Sequence, residues 1–443
     1  MGRNGEEARV RVFMLGWEFP PFISGGLGTA CYGLTKALDQ LGVKVTFVLP
    51  KMVDSQYATH VRLLTPHARK SAGRKRVTRS LEEELANVKF RSILSPLQAY
   101  ATPQTYDEQI AEYLRLKRET TTTTETAAAP GGGVTDYAGD LYREVHRYAS
   151  MAMELARDED FDVVHAHDWM TYPAGIGVAM ASGKPLVVHI HSTEFDRSGE
   201  HVNQMVYDIE REGMQRAHKV IAVSHFTRGV VISRYGIPGD KVEVVYNGVE
   251  RNGTWSTEPV TIRREEKIVL FLGRITMQKG PEYFLQSAKK VLDVMDNVKF
   301  VMAGSGDLMY RSVELAAQLG IGHKVLFTGF LRGDDVRRIF RMADLYVMPS
   351  VSEPFGIAPL EALDNDVPVI ISKQSGVSEV LRHALKVDFW DVNEMANKIV
   401  AVLRYPPLRM TLRNHGNFEV RKLRWRDAAR NCLRIYEETQ VPV

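Results

Sequence analysis

Two carboxylates, Glu353 and Glu361, stand eight positions apart in the stretch PSVSEPFGIAPLEAL, around a Phe-Gly pair. Pro354 biases Glu353 away from helical backbone, which leaves its carboxylate in a loop. Pro359 suits a first helical turn and so places Glu361 just inside a helix. Such a pair has three readings on local grounds. It is an acid/base pair flanking a glycosidic bond, an acid complementing a helix dipole beside an unrelated loop acid, or two ligand-holding acids flanking an anion site. The third reading draws on Phe355, Gly356, Ile357 and Ala358, where backbone N–H groups stand ready at a helix start.

Other residues favour phosphate chemistry. Arg274 and Lys279 leave the apolar run KIVLFLG five positions apart. At a strand end, the forked guanidinium and the compact ammonium both suit a diphosphate. A nucleoside diphosphate gains negative charge as its bond to a sugar breaks, and fixed cations there stabilise the transition state more than the ground state. Near the N-terminus, GGLG (Gly25, Gly26 and Gly28) follows the run VRVFML and opens a helical pattern. It reads either as a tight turn or as a loop that lets phosphate approach backbone. The third glycine of a dinucleotide fingerprint is missing there and in GSGDLM. The second strand ends in Leu49, Pro50 and Lys51, with no acid for a ribose, so a dehydrogenase is disfavoured.

The stretches HAHDW and HIHSTEFDR carry a separate possibility. On strands, His165 and His167 share a face, as do His189 and His191, and four imidazoles match a zinc site. The acids near them are only Asp168, Glu194 and Asp196. Asn365 in DND suits a left-handed helix cap rather than a ligand set. The expectation is therefore no metal.

Strand-helix alternation positions all of these residues. Strand candidates at 10–15, 44–49, 161–167, 185–191, 219–224 and 242–248 form one series. Those at 267–273, 298–306, 324–330, 345–350 and 367–372 form another. Near-continuous Val/Ile/Leu strands separated by helices require parallel sheets buried on both faces. The expected division is an N-terminal domain over 1–249, a polar linker over 250–266, a second domain over 267–416, and a helix over 417–443 packing back toward the first. Residues 51–145 interrupt the first series with a basic cluster (69–76), read as a solvated face, and a Thr/Ala/Gly-rich tract (120–133), read as a flexible loop. In open parallel sheets ligands sit outside the carboxyl ends of strands, and the polar stretches above all fall there. Two such rims imply a cleft.

Composition excludes other classes. A chain of 443 residues with 44% hydrophobic and 25% charged content is ordinary for a soluble two-domain protein. A net charge of +3 gives no argument for a nucleic-acid partner. Two cysteines, Cys31 and Cys432, point to a reducing compartment. No apolar run reaches the roughly 18 residues of a membrane span, and the N-terminus lacks a signal-peptide core. The expectation is a cytoplasmic protein without a membrane partner.

Taken in order, GGLG, HDW, Arg274 with Lys279, Glu353 with Glu361, and YNGV resemble the retaining nucleotide-sugar glycosyltransferases of the GT-B fold. The likeness covers most of the chain outside 51–145, and that group includes glycogen and starch synthases. The resemblance implies an α/β protein of two doubly wound Rossmann-like domains. It places Gly25, Gly26 and Gly28 against the donor phosphates, His167 at the transferred hexose, and Arg274 and Lys279 on the diphosphate. Glu353 falls at the donor sugar and Glu361 at the ribose hydroxyls. Asn247 and the 355–358 backbone join the donor site, while Glu18, Trp169 and His191 are candidates for the acceptor or sugar pocket. No cofactor beyond the nucleotide-sugar co-substrate, ADP- or UDP-glucose, is implied, and the acceptor is an α-glucan or other saccharide. Where bacterial glycogen synthases carry lysine before the glycine pair this chain has Ile23, and a late Gly-Gly is Ser375-Gly376. PPFISGGLG, HAHDW and HSTEFDRSG nevertheless resemble the glucan-synthase branch. The alternatives are a sucrose synthase-like or mannosyltransferase-like enzyme, a nucleotide-sugar 2-epimerase and a metal-dependent hydrolase using the HxH pairs.

Overall fold

Continuous apolar strands must bury both faces, and the computed structural model shows how. It describes residues 10–19, 25–51, 87–94, 141–249, 266–331 and 333–440. Residues 250–265 of the expected linker, the basic cluster, the Thr/Ala/Gly-rich tract and Ile23 lie outside the described residues. The strands are β1 (Arg11–Leu15), β2 (Lys44–Lys51), β3 (Val88–Leu94), β4 (Val163–His167), β5 (Leu186–Ile190), β6 (Lys219–Ala222) and β7 (Val242–Val244), then β8 (Lys267–Leu272), β9 (Val298–Ala303), β10 (Val325–Gly329), β11 (Leu345–Met348), β12 (Val369–Ser372) and β13 (Leu385–Val387).

Two sheets result, ordered β3-β2-β1-β4-β5-β6-β7 and β10-β9-β8-β11-β12-β13. Each places its first strand beside its fourth, the doubly wound arrangement in which the chain reverses direction of travel across the sheet. The registers at the reversals pair Met14 with His165 and Leu15 with Ala166 in one sheet, and Tyr346 with Leu270 in the other. These are the positions where an open α/β sheet leaves a crevice at its strand ends. GGLG follows β1, and HAHDW closes β4 and runs on beyond it, at the first reversal. GRITMQKG and PSVSEPFG follow the two strands at the second.

Side-chain alternation explains the two-faced burial of the second sheet. Val269, Phe271, Phe300 and Met302 join one apolar cluster with Phe284 and Leu285 of helix Pro281–Leu292 and Ile399 of helix Val392–Arg404. Ile268, Leu270, Val301 and Tyr346 join a second cluster with Phe340, Leu360 and Val377. Neighbouring residues of one strand therefore serve opposite layers, as a period of two demands.

By contacts the chain forms two compact units. One is Met1–His189 with Ile209–Val220 and Ala429–Val443; the other is Ile190–Asp208 with Ile221–Ala428. Residues 190–208 and 221–249 thus group with the second unit, although they precede the sequence boundary at 249. Three local expectations need correction. The insertion contributes an edge strand, β3, parallel to β2, and its alternating sequence VKFRSIL carried that signal. The single helix expected over 417–443 is two, Pro406–Val420 and Trp425–Thr439. It breaks because the intervening turn pairs with Val249, whose N–H donates to the Leu423 carbonyl at 3.0 Å. A Cβ on Gly248 would stand 2.3 Å from the Trp425 nitrogen, so the glycine of YNGV is required by this close approach. Finally, Asn365 has φ −91° and the left-handed residue is Asp366 at φ 61°. Asn365 instead donates its amide to the Glu361 carbonyl at 2.8 Å.

Candidate active site

At the β8 end, the chain turns through Gly273 and Arg274 into a short 3-10 helix, Met277–Lys279. Gly280 then takes φ 66°, and a Cβ there would lie 2.2 Å from the Pro349 carbonyl oxygen. Only glycine permits this seam, which brings the Lys279 loop onto the loop after β11. The Val351 N–H donates to the Gln278 carbonyl at 2.9 Å, and the Arg274 guanidinium donates to the Gln278 side-chain oxygen at 3.3 Å. Buried Gln278 thus reaches both the cation and the neighbouring loop.

The consequence is a direct ion pair. Lys279 Nζ donates to Glu353 Oε2 at 2.5 Å, and the Ser350 hydroxyl donates to the same oxygen at 3.2 Å. Glu353 is 7% exposed. Its backbone is clamped on both sides: its N–H donates to the Gln374 carbonyl and its carbonyl accepts from Gly376 N–H, each at 2.9 Å. Pro354, as expected, holds it in non-helical backbone, here in a bridge to Ser375. The Pro354 carbonyl accepts from the Ser224 hydroxyl at 2.5 Å and from the Thr227 hydroxyl at 3.3 Å. Gly376 is required where it stands, since a Cβ would meet that carbonyl oxygen at 2.2 Å. Gly356 takes φ 101° between Glu353 and Val377, and Val377 N–H donates to the Phe355 carbonyl at 2.7 Å.

Glu361 sits on the short helix Ala358–Asp364, half-buried. Burial, with a smaller contribution from the Asp364 charge, pushes its carboxyl up to about 7. The two glutamates are therefore different groups: one salt-bridged at a loop, the other poised to titrate near neutrality.

At the first reversal the environment is different. His165, His167 and His189 are at most 2% exposed, and their nitrogens lie within 4.8 Å of one another. The register produces this cluster, because His167 pairs directly with His189 across β4 and β5 while His165 lies two residues back on the same face. His165 and His189 stack only 6° from parallel at 5.4 Å while His167 is tilted 31° against His165, and Tyr436 Oη is 2.7 Å from His165 Nδ1. His191 falls outside the trio; burial pushes its imidazole down to about 3, so it is neutral at pH 7. Asp168, directly after β4, has φ 57°. Such backbone in a non-glycine residue costs about 1–3 kcal/mol and collects at functional sites. It is fixed by its own N–H to the His189 carbonyl at 3.0 Å and by Thr171, which donates to its carbonyl. Trp169 follows, buried, in a 3-10 turn.

The glycine loop opens helix Gly26–Gln40. A Cβ on exposed Gly26 would meet nothing within 4 Å, so packing does not require glycine there. The Gly28 N–H is already engaged, donating to Glu18 Oε2 at 2.9 Å. Glu18, 3% exposed, thus acts in the structure as the carboxylate at this helix start. Asn247 is buried beside the Gly248 seam. Sequence reasoning passed over Gln278, Ser350 and Glu379. The last accepts from His225 N–H at 3.0 Å, Phe226 N–H at 2.6 Å and the Tyr246 hydroxyl at 2.9 Å, capping helix His225–Tyr235. A capping acid supplied by a distant segment leaves no local spacing to read.

Doubly wound sheets place two cations and an acid at the strand-end reversal of the second sheet, an arrangement whose chemistry suits a diphosphate. The profile of the family described as Glycosyl transferases group 1 matches residues 256–417, and that of Glycosyltransferase Family 4 matches 123–252. The chain is 35% identical over 298 residues to the uncharacterized glycosyltransferase MJ1607 of Methanocaldococcus jannaschii, covering 63% of this chain and 76% of that protein. It is 27% identical over 308 residues to the D-inositol 3-phosphate glycosyltransferase of Salinispora tropica, covering 63% and 64% respectively. Among solved structures, Anabaena Alr3699/HepE in complex with UDP-glucose superposes with a TM-score of 0.66 at 17% identity, covering 97% of this chain and all of that one. The chain belongs to the group 1, family 4-type glycosyltransferases and has their two-domain GT-B Rossmann-like fold. Among the described residues no helix is long and apolar enough to cross a membrane.

Proposed function

We propose that this glycosyltransferase transfers glucose, with retention of configuration, from a nucleoside-diphosphate glucose to the non-reducing end of an α-1,4-glucan. The observation that carries the donor half is the Lys279–Glu353 pair at the second reversal, with Arg274 beside it on Gln278. Lys279 and Arg274 take the diphosphate and balance the charge that develops as the bond to the sugar breaks. Glu353 meets the sugar, and its present partner Lys279 passes to phosphate when the donor enters. Glu361 accepts from the ribose hydroxyls. By the resemblance, Gly25 and Gly26 meet the donor phosphates and His167 the transferred hexose. The acceptor attacks on the face the diphosphate leaves, with a phosphate oxygen taking the acceptor proton. The two fixed cations supply the leaving-group charge compensation without a metal ion.

The glucan half rests on the resemblance of the HAHDW and HSTEFDRSG stretches to glucan synthases. A second reading, a small phosphorylated acceptor, draws on the named acceptor of the Salinispora relative. Incubation with ADP- or UDP-glucose and glycogen in the presence of a chelator is expected to release nucleoside diphosphate and lengthen the glucan. Transfer to inositol phosphate but not to glycogen would replace the glucan reading. Loss of all turnover with chelator, restored by divalent cation, would overturn the metal-free mechanism.

A further inference from the structure

We propose that Asp196 is a positioning residue for Glu353, acting through Ser352. The proposal rests on the reading of Glu353 as the acid at the donor sugar. Thr193 and Asp196 form a reciprocal capping box at the start of helix Glu194–Ser198. In it, Asp196 Oδ2 accepts from the Thr193 N–H at 2.7 Å and from the Thr193 hydroxyl at 2.8 Å. That arrangement occupies one carboxylate oxygen only. The other, Oδ1, accepts from the Ser352 hydroxyl at 2.5 Å, 156 residues along the chain. Asp196 is 3% exposed, and a buried carboxylate is tolerated only when its oxygens are hydrogen-bonded. An asparagine would serve the cap equally well through its single oxygen. Asparagine would turn its amide toward Ser352, whose hydroxyl would then accept a neutral N–H; the acid lets the hydroxyl donate to a charged acceptor, which makes the stronger bond.

The anchor falls where the loop needs one. Glu353 has its backbone held by Gln374 and Gly376, and Val351 is tied to Gln278. Between these fixed points Ser352 is held by its side chain to Asp196. Releasing it lets the loop segment immediately before Glu353 rotate, which moves the carboxylate relative to Lys279 and the reacting carbon. Displacements of about 1 Å at such a group cost up to roughly 100-fold in rate. The same segment meets the cation loop at another point, since a Cβ on Gly199 would lie 3.9 Å from Met277 Cε.

The test uses the full-length protein with whichever of ADP- or UDP-glucose turns over, and compares Ser352→Ala, Asp196→Asn, their double variant and Glu353→Gln. Ser352→Ala leaves the capping box intact; it is expected to lower kcat about tenfold, with donor KM within about twofold and an unchanged thermal midpoint. Asp196→Asn, in which the Ser352 hydroxyl accepts from the amide instead, is expected to lower kcat less than Ser352→Ala, and the double variant to fall no further than Ser352→Ala alone, because one contact is at stake in each. Wild-type kcat for Ser352→Ala, a change confined to KM, or losses that multiply in the double variant would each overturn the proposal. If Asp196→Asn does not fold, Ser352→Ala decides alone. A Glu353→Gln enzyme of undiminished rate would remove the underlying donor-site reading. An inactive Glu353→Gln beside a fully active Ser352→Ala would remove only the role of Asp196.

Discussion

The two chain reversals hold their polar residues in opposite ways. Within β4 and β5, three histidines are buried at no more than 2% exposure and pack on one another, with a strained Asp168 at the rim. After β8 and β11, a lysine pairs with a glutamate and an arginine with Gln278, all on the connections that follow the strands. The histidine cluster is a product of strand register and forms part of the core. The charged cluster is a product of loop seams, which Gly280 and Gly376 allow by giving up their Cβ atoms. A site on loops can exchange partners when a ligand arrives, whereas a site built into a sheet interior offers fixed shape.

The largest expected effect tests the charged side of that contrast. Lys279→Ala should lower kcat by about 10²–10³-fold, the usual consequence of removing one preorganised charge-stabilising donor. Lys279 is only partly buried, so the thermal midpoint should hardly move. Steady-state kinetics beside a melting curve checks both. A large loss of stability with little loss of turnover would recast the Lys279–Glu353 pair as structural and erase the contrast.

His167→Ala probes the other side and should fail differently. Removing a fully buried ring from a sheet interior leaves a cavity, and a cost of about 2–4 kcal/mol in stability is expected. Turnover should fall as well, but inseparably from a lower thermal midpoint. Denaturant unfolding reports the first and kcat the second. A His167→Ala protein of wild-type stability would show that the trio does not belong to the core, and would make the two reversals alike.

How much of this was legible in the sequence follows from the same contrast. The strands were readable because burial on both faces forces continuous Val/Ile/Leu runs, and the strand-end rule then collected Arg274, Lys279 and Glu353 in one region. The edge strand β3 was overlooked because an edge carries alternation rather than a continuous apolar run. The terminal helix was misjudged as one because its break depends on pairing with Val249, 175 residues earlier than Arg424. The site's supports were the least visible. Gln278, Glu379 and the Asp196–Ser352 contact join segments far apart in sequence, and only the capping box within TEFD had a local spacing to reveal it. The sequence suggests separate duties for Glu18 and Gly28, whereas the structure joins them in one hydrogen bond.

The smallest effect concerns Glu361, which lies beside the charged cluster yet is held by burial, like the histidines. Its carboxyl is pushed from an ordinary 4.5 up to about 7. The folded protein therefore binds this proton more tightly than the unfolded chain does. The resulting stabilisation is complete below about pH 4.5 and is lost as pH rises through about 7. Donor binding should run the other way, because only the carboxylate accepts from two ribose hydroxyls. Donor KM should accordingly rise as pH falls below about 7, with donor binding releasing a proton there. Glu361→Gln should flatten both dependences, raising donor KM at pH 8 and removing the decline in melting temperature between about pH 5 and 7. Donor titrations and melting curves over about pH 5.5–8.5 measure the two slopes. A wild-type KM that stays level across neutrality would separate Glu361 from the ribose and leave its raised carboxyl as a feature of packing.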